Sequence, residues 1–134
     1  MMPPQGGRTG LVWDERFARY DPTPASANVW NAPFSSADGR ESKRRIWSLL
    51  QASGLASSLA PIAPRQASET ELLRAHSSAY LDRLSALAAT GGGDAGDSAS
   101  VSSSSLPVAR LAAGGCIEAA DRLMRGDVRN AYAL

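Results

Sequence analysis

The chain has 134 residues, a formal net charge of +1 and a single cysteine, Cys116. That length suits one domain with a modest core. The near-zero charge gives no broad field for nucleic acid or an anionic membrane, no run approaches the roughly 18 apolar residues of a membrane span, and one cysteine excludes an internal disulfide framework.

Ala, Ser and Gly are abundant and large core residues are few, as expected of a piece of a larger domain. Residues 1 to 8 are rich in Pro and Gly, have nothing to bury, and are expected to be disordered. They also lack the apolar core of a signal peptide, which predicts an intracellular protein of cytosol or nucleus.

Thr9 to Asp14 is a short apolar run ending at an acid, which reads as a buried strand followed by a loop. Glu15 to Tyr20 is expected to form a turn of helix. Asp21 to Asp38 is long and irregular, broken by Pro22, Pro24 and Pro33. It carries Trp30 and Phe34. Asp38 to Glu41 has the spacing of a capping box, with Ser42 as the alternative cap. The helix that follows presents Ile46, Leu49, Leu50 and Trp47 up to Gly54.

Leu59 to Pro64 is the second candidate strand. Ser68-Glu69-Thr70-Glu71 is a cleaner capping box and opens a helix carrying Leu72, Leu73 and His76. Ser77 caps another, with Tyr80, Leu81, Leu84 and Leu87 on one face. Gly91 to Ser105 is a flexible loop by composition. Leu106 to Arg125 is one long helix with Pro107 in its first turn. Val108, Leu111, Ala112, Gly115, Cys116, Ala119 and Leu123 share one face at helical spacing. Glu118 with Arg122, and Asp121 with Arg125, are acid-before-base pairs four apart. Gly126 is placed to end the helix in a left-handed cap. Ala131 to Leu134 is a strand. Strands alternating with helices predict an α/β fold with a largely parallel sheet, whose ligands sit outside the strand carboxyl ends.

The candidate chemistry is sparse. A catalytic zinc needs about three protein ligands, and the chain offers one His and one Cys. His76 reads as a packed or backbone-bonded side chain, and Cys116 as an inert core residue. The Gly91 to Asp97 run lacks the strand before it and the Lys-Ser/Thr after it that a phosphate loop needs. Lys43-Arg44-Arg45 reads as a solvated helix face, and Trp13, Trp30 and Trp47 as packing residues.

Four segments together resemble the class II histone deacetylase and acetylpolyamine amidohydrolase family. They are Thr9 to Asp14, Glu41 to Leu55, Pro64 to Leu84 and Leu111 to Leu134, in the family's order and with its spacing. The resemblance covers nearly everything after residue 8. It implies the N-terminal portion, residues 9 to 134, of an arginase/deacetylase-like parallel-sheet fold. It further implies a zinc-dependent amidohydrolase acting on acetyl-lysine peptides or acetyl-polyamines. In that family paired histidines serve as acid and base, a tyrosine polarises the carbonyl, and the strand matching Asn130 to Leu134 runs into Arg-Pro-Pro-Gly-His-His. None of these groups is in the chain, and Tyr132 does not match the catalytic tyrosine. The chain is therefore expected to be truncated before the catalytic motifs, to bind no zinc itself and not to act alone. The alternative is a non-catalytic interaction module derived from such an enzyme. The first helix departs from the family by Gly39-Arg40-Glu41 in place of His-Pro-Glu. The Gly/Asp loop resembles the family's rim loop, where an acid holds the substrate backbone. Asp94 is the nearest match and Asp97 the second.

Overall fold

A computed structural model describes residues 7–20, 40–96 and 99–134. Trp30, Phe34, Asp38 and Asp97, all singled out above, lie outside these residues. The elements in order are β1 (Gly10–Val12), a 3-10 turn (Glu15–Arg19), α1 (Arg40–Ala52), a second 3-10 turn (Leu55–Ser58) and β2 (Ala60–Ile62). Then come α2 (Glu69–Leu72), α3 (Ser78–Ala89), β3 (Gly92–Gly96), β4 (Ala99–Ser102), α4 (Ser105–Arg125) and β5 (Ala131–Ala133).

The main sheet is parallel, in the order β2-β1-β5. β1 is its centre and is buried along its whole length, as its unbroken apolar run requires. Leu11 stands opposite Pro61 on one side and Tyr132 on the other. Pro61 can occupy that position because β2 is an edge strand among the described residues. β1 and β5 are tied at both ends: Gly10 N–H donates to Asn130 O at 2.8 Å and Leu134 N–H to Val12 O at 3.1 Å. β3 and β4 make a separate antiparallel pair.

The core is Val12, Phe17, Ile62, Val108, Leu111 and Ala119, with Trp13, Tyr20 and Ala131 packed against it. Each fully buried aliphatic side chain here contributes roughly 1.5–3 kcal/mol. α4 lies across all three strands and α1 packs on the two 3-10 turns. Gly10 packs closely here: a Cβ would fall 2.5 Å from Ile62 Cδ1, so the end of that side chain would have to shift.

The helix ends follow their sequence signals. Ser68 and Glu71 form the full reciprocal capping box, and the Ser77 side chain accepts from Tyr80 N–H. Gly126 closes α4 at φ 79°. Arg8 is described and donates to the carbonyls of Ser57, Ser58 and Leu59.

Four local expectations need correction. Residues 91–105 do not form a featureless loop; most of them build the β3–β4 hairpin, whose Ala95 and Val101 are buried. The inner face of α4 is rotated from the one expected: Gly114 is buried, whereas Ala112 and Cys116 are exposed. Leu123 is also exposed, as are Ile46 and Leu49 of α1, so Trp47 and Leu50 carry that helix's half-buried stripe. α2 is a single turn, so His76 falls in the link to α3 rather than in a helix.

Candidate functional site

Parallel strands direct their carboxyl ends to one edge of the sheet, where ligands of such folds sit. Here that edge is formed by the residues after Val12, Ile62 and Ala133. α4 must run against the strands, because only a short turn separates its end at Arg125 from β5. Its start at Ser105, with the β3–β4 hairpin attached, therefore belongs to the carboxyl side.

Asp14 is the first acid beyond β1. It caps the 3-10 turn, accepting from Arg16 N–H at 2.8 Å, and is gripped by the Arg16 guanidinium at 2.7 and 2.8 Å. The Arg16 side-chain bond holds its carboxyl below the usual aspartate range. This carboxylate has a structural assignment and is a poor candidate for a proton acceptor.

The segment after β2 is pinned to α4. Ala67 N–H donates to Arg110 O at 2.9 Å, and Gln66 Nε2 to Pro107 O at 3.1 Å. Two adjacent glycines permit the approach. A Cβ on Gly114 would fall 1.9 Å from Arg65 O, and one on Gly115 would fall 2.7 Å from Val12 Cγ1. Arg65 then bonds both oxygens of Glu71, at 2.7 and 2.9 Å. That bidentate contact, with the Ser68 N–H behind it, pulls Glu71 down to about 2. On α4, Glu118 is ringed by Arg122 at 3.3 Å, Arg125 at 3.6 Å and Arg65 at 3.8 Å. Arg125 also pairs with Asp127, at 3.2 Å. These charges compensate one another along the C-terminal half of α4.

The hairpin carries Asp94. Its side chain is exposed and Oδ1 accepts from Gly96 N–H at 2.8 Å. The β3–β4 register shifts between Asp94 and Gly96. A Cβ on Gly92 would fall 2.3 Å from Val101 O, so the strands close only around glycine there. At the base of the hairpin, Ser105 is buried and its Oγ accepts from Ser102 N–H at 2.9 Å, fixing β4 to the start of α4. The composition of this segment concealed the hairpin. The signal present was Ala95 and Val101, apolar residues spaced to share one face of a paired ribbon.

The remaining candidates are dispersed. His76 is exposed and lies against Tyr80, ring centroids 5.2 Å apart. Arg44 pairs with Glu15 at 2.7 Å and Arg45 with Glu41 at 3.4 Å, so the basic run is engaged within the fold. Trp13 stacks on Trp47 at 5.8 Å and meets Phe17 edge-on at 6.1 Å. A groove of about 240 Å³ runs between α3 and α4, lined chiefly by Leu81, Leu84, Leu106, Ala109 and Ala113. Among the described residues no three His, Cys, Asp or Glu side chains converge as metal ligands. A catalytic zinc needs about three converging protein ligands, which the described donors do not provide. Among the described residues, no helix is long and apolar enough to cross a membrane.

Comparison with known proteins agrees with this architecture. The histone deacetylase domain profile matches residues 38–134. A histone deacetylase-like amidohydrolase of Pseudomonas aeruginosa is 43% identical over 134 residues, covering 95% of this chain and 35% of that protein. The polyamine deacetylase HDAC10 of Danio rerio is 30% identical over 135 residues, covering 94% of this chain and 19% of that protein. The HDA15 HD domain superposes with a TM-score of 0.81 at 23% identity, over 95% of this chain and 35% of that structure. The chain thus spans about a third or less of the proteins it matches.

Proposed function

This chain belongs to the histone deacetylase domain family, and on that premise we propose that it is the N-terminal portion of a zinc-dependent deacetylase. In this reading the complete enzyme hydrolyses acetyl-lysine or acetyl-polyamine amides. The chain supplies three strands of the sheet, the helices around them and the substrate-side rim. In this reading the metal ligands come from the rest of the enzyme; among the described residues of this chain no three candidate ligands converge. No chemical step is assigned to its side chains.

The role assigned to this portion is orientation. The β3–β4 hairpin joins the start of α4, on the carboxyl side of the parallel sheet, and presents the exposed carboxylate of Asp94. That is the observation on which the reading rests. A carboxylate accepting N–H bonds from the substrate backbone would hold the amide in register without entering bond breaking. Asp97 is the second acid for this role. The alternative, a non-catalytic interaction module, draws on the outer edge of β5, unpaired among the described residues, and on the exposed Met124 and Tyr132. The test is turnover by the full-length protein. Hydrolysis of an acetyl-lysine peptide or an acetyl-polyamine supports the deacetylase, and hydrolysis of neither favours the module.

A further inference from the structure

We propose that Arg83 is the positioning residue of the rim: from α3 it fixes the bulge of β3 that carries Asp94. The proposal rests on the rim reading given above.

Asp94 stands opposite Ser100 and Gly96 opposite Ala99, so Ala95 has no partner across the ladder. Ala95 is also buried. A buried backbone carbonyl outside its ladder must find another donor or carry a desolvation cost. The donor it finds is Arg83 Nη2, a charged group on the neighbouring helix.

Arg83 is itself held in place. Its Cζ lies 5.7 Å from the ring centroid of Tyr80, one helical turn earlier, and Tyr80 rests against His76. The guanidinium is therefore braced on an aromatic face before it reaches across to β3. On the far side of Ala95, Gly96 N–H is bonded by the Asp94 carboxylate. The two contacts fall on one peptide unit, at the Ala95 carbonyl and the Gly96 N–H. Arg83 sets where the peptide after Ala95 lies, and the N–H of that peptide, at Gly96, sets where the Asp94 carboxylate lies. A Cβ on Gly96 would stand 3.7 Å from Nη2, in van der Waals contact with the guanidinium. The other end of the hairpin has its own anchor at Ser102 and Ser105. Loss of Arg83 should thus loosen the bulge and leave the base of the hairpin in place.

The test compares Arg83→Met and Arg83→Lys in the full-length protein, by amide exchange and by kinetics. In Arg83→Met, exchange at Ala95 and Gly96 should rise about 10-fold or more, the scale of a lost charge-assisted bond, while α4 is unchanged. KM for an acetyl-lysine peptide should rise about 5-fold, with kcat for a small acetylated amine lacking a peptide backbone nearly unaltered. Arg83→Lys should restore most of both. Unchanged exchange at the bulge would overturn the proposal. So would equal losses on both substrates, or a lysine variant no better than methionine. A wild-type protein with no turnover would overturn the deacetylase reading and the substrate role of Arg83 together, while exchange would still decide whether Arg83 holds the bulge.

Discussion

Gly114 on α4 stands so close to Arg65 that an added Cβ would fall 1.9 Å from the Arg65 carbonyl oxygen and 2.7 Å from Ala67 N. Both neighbours are backbone, so neither can rotate away. Gly114→Ala should therefore destabilise the full-length protein by about 3 kcal/mol or more, at or beyond the upper end of ordinary overpacking. Gly115→Ala should cost less, because it meets the side chains of Val12 and Pro64. Ala112→Leu should be nearly neutral, since Ala112 is exposed. Denaturant titration of the three variants checks the order. Gly114→Ala with wild-type stability would show that α4 does not pass this close to the loop after β2.

The sequence exposed some of this geometry and hid the rest for definable reasons. Ser68, Ser77 and Gly126 act through local backbone groups, so their spacing alone located the caps. β1 was legible as an apolar run between turn signals. Apolar periodicity carries the inner face of α4 through Ala112 and Cys116, whereas the close approach of Gly114 to Arg65 and of Gly115 to Val12 turns it away from both. A mid-helix Gly-Gly pair costs about 1 kcal/mol per residue relative to alanine, and that cost signalled a packing reason which apolar periodicity could not place. The β3–β4 hairpin leaves little trace in the sequence because its strands are built mostly of Gly, Ala and Ser, which carry little strand signal. Of the rim, the acids were visible in the sequence. The Arg83 contact that holds the bulge is a tertiary contact and left no local signal.

The Arg65–Glu71 pair makes a pH prediction. Glu71 is depressed from 4.5 to about 2, first by its bond from Arg65. A carboxyl depressed in the folded state adds stability that is fully present above its unfolded value and is lost as pH falls through the folded one. Glu71→Gln should therefore be less stable than wild type by a constant margin above about pH 5. That margin should shrink between pH 4.5 and about 2. Melting temperatures of both proteins across this range read it directly. A margin independent of pH would mean that the pair contributes no charge-dependent stability.

Asp94 should matter for substrate and not for metal. Hydrogen bonds to a charged group are worth about 1.5–3 kcal/mol, so Asp94→Ala in the full-length enzyme should lower kcat/KM for peptide substrates by roughly 10- to 200-fold. Asp94→Asn keeps the acceptor for Gly96 N–H and should retain part of the loss, since only the charge is removed. Asp97→Ala should do less than Asp94→Ala. Zinc content should be unchanged in all three. Near-wild-type rates for both alanine variants would reduce the segment to a connector, and a larger loss at Asp97 would transfer the role to that acid.

The isolated chain should be only marginally folded. Met124 is 88% exposed and Leu49 67%, and β5 has no partner on its outer side among the described residues. Exposed apolar side chains and an open strand edge favour association. A broad thermal transition and binding of an apolar dye are expected. A sharp, reversible transition in a monomer would contradict this.

The most direct test sets the 134-residue chain beside the full-length protein, each stripped with a chelator, reloaded with zinc and assayed on an acetyl-lysine peptide and an acetyl-polyamine. The account predicts stoichiometric zinc and metal-dependent turnover in the full-length protein, with neither in the chain alone. Metal-dependent turnover by the chain alone would contradict it.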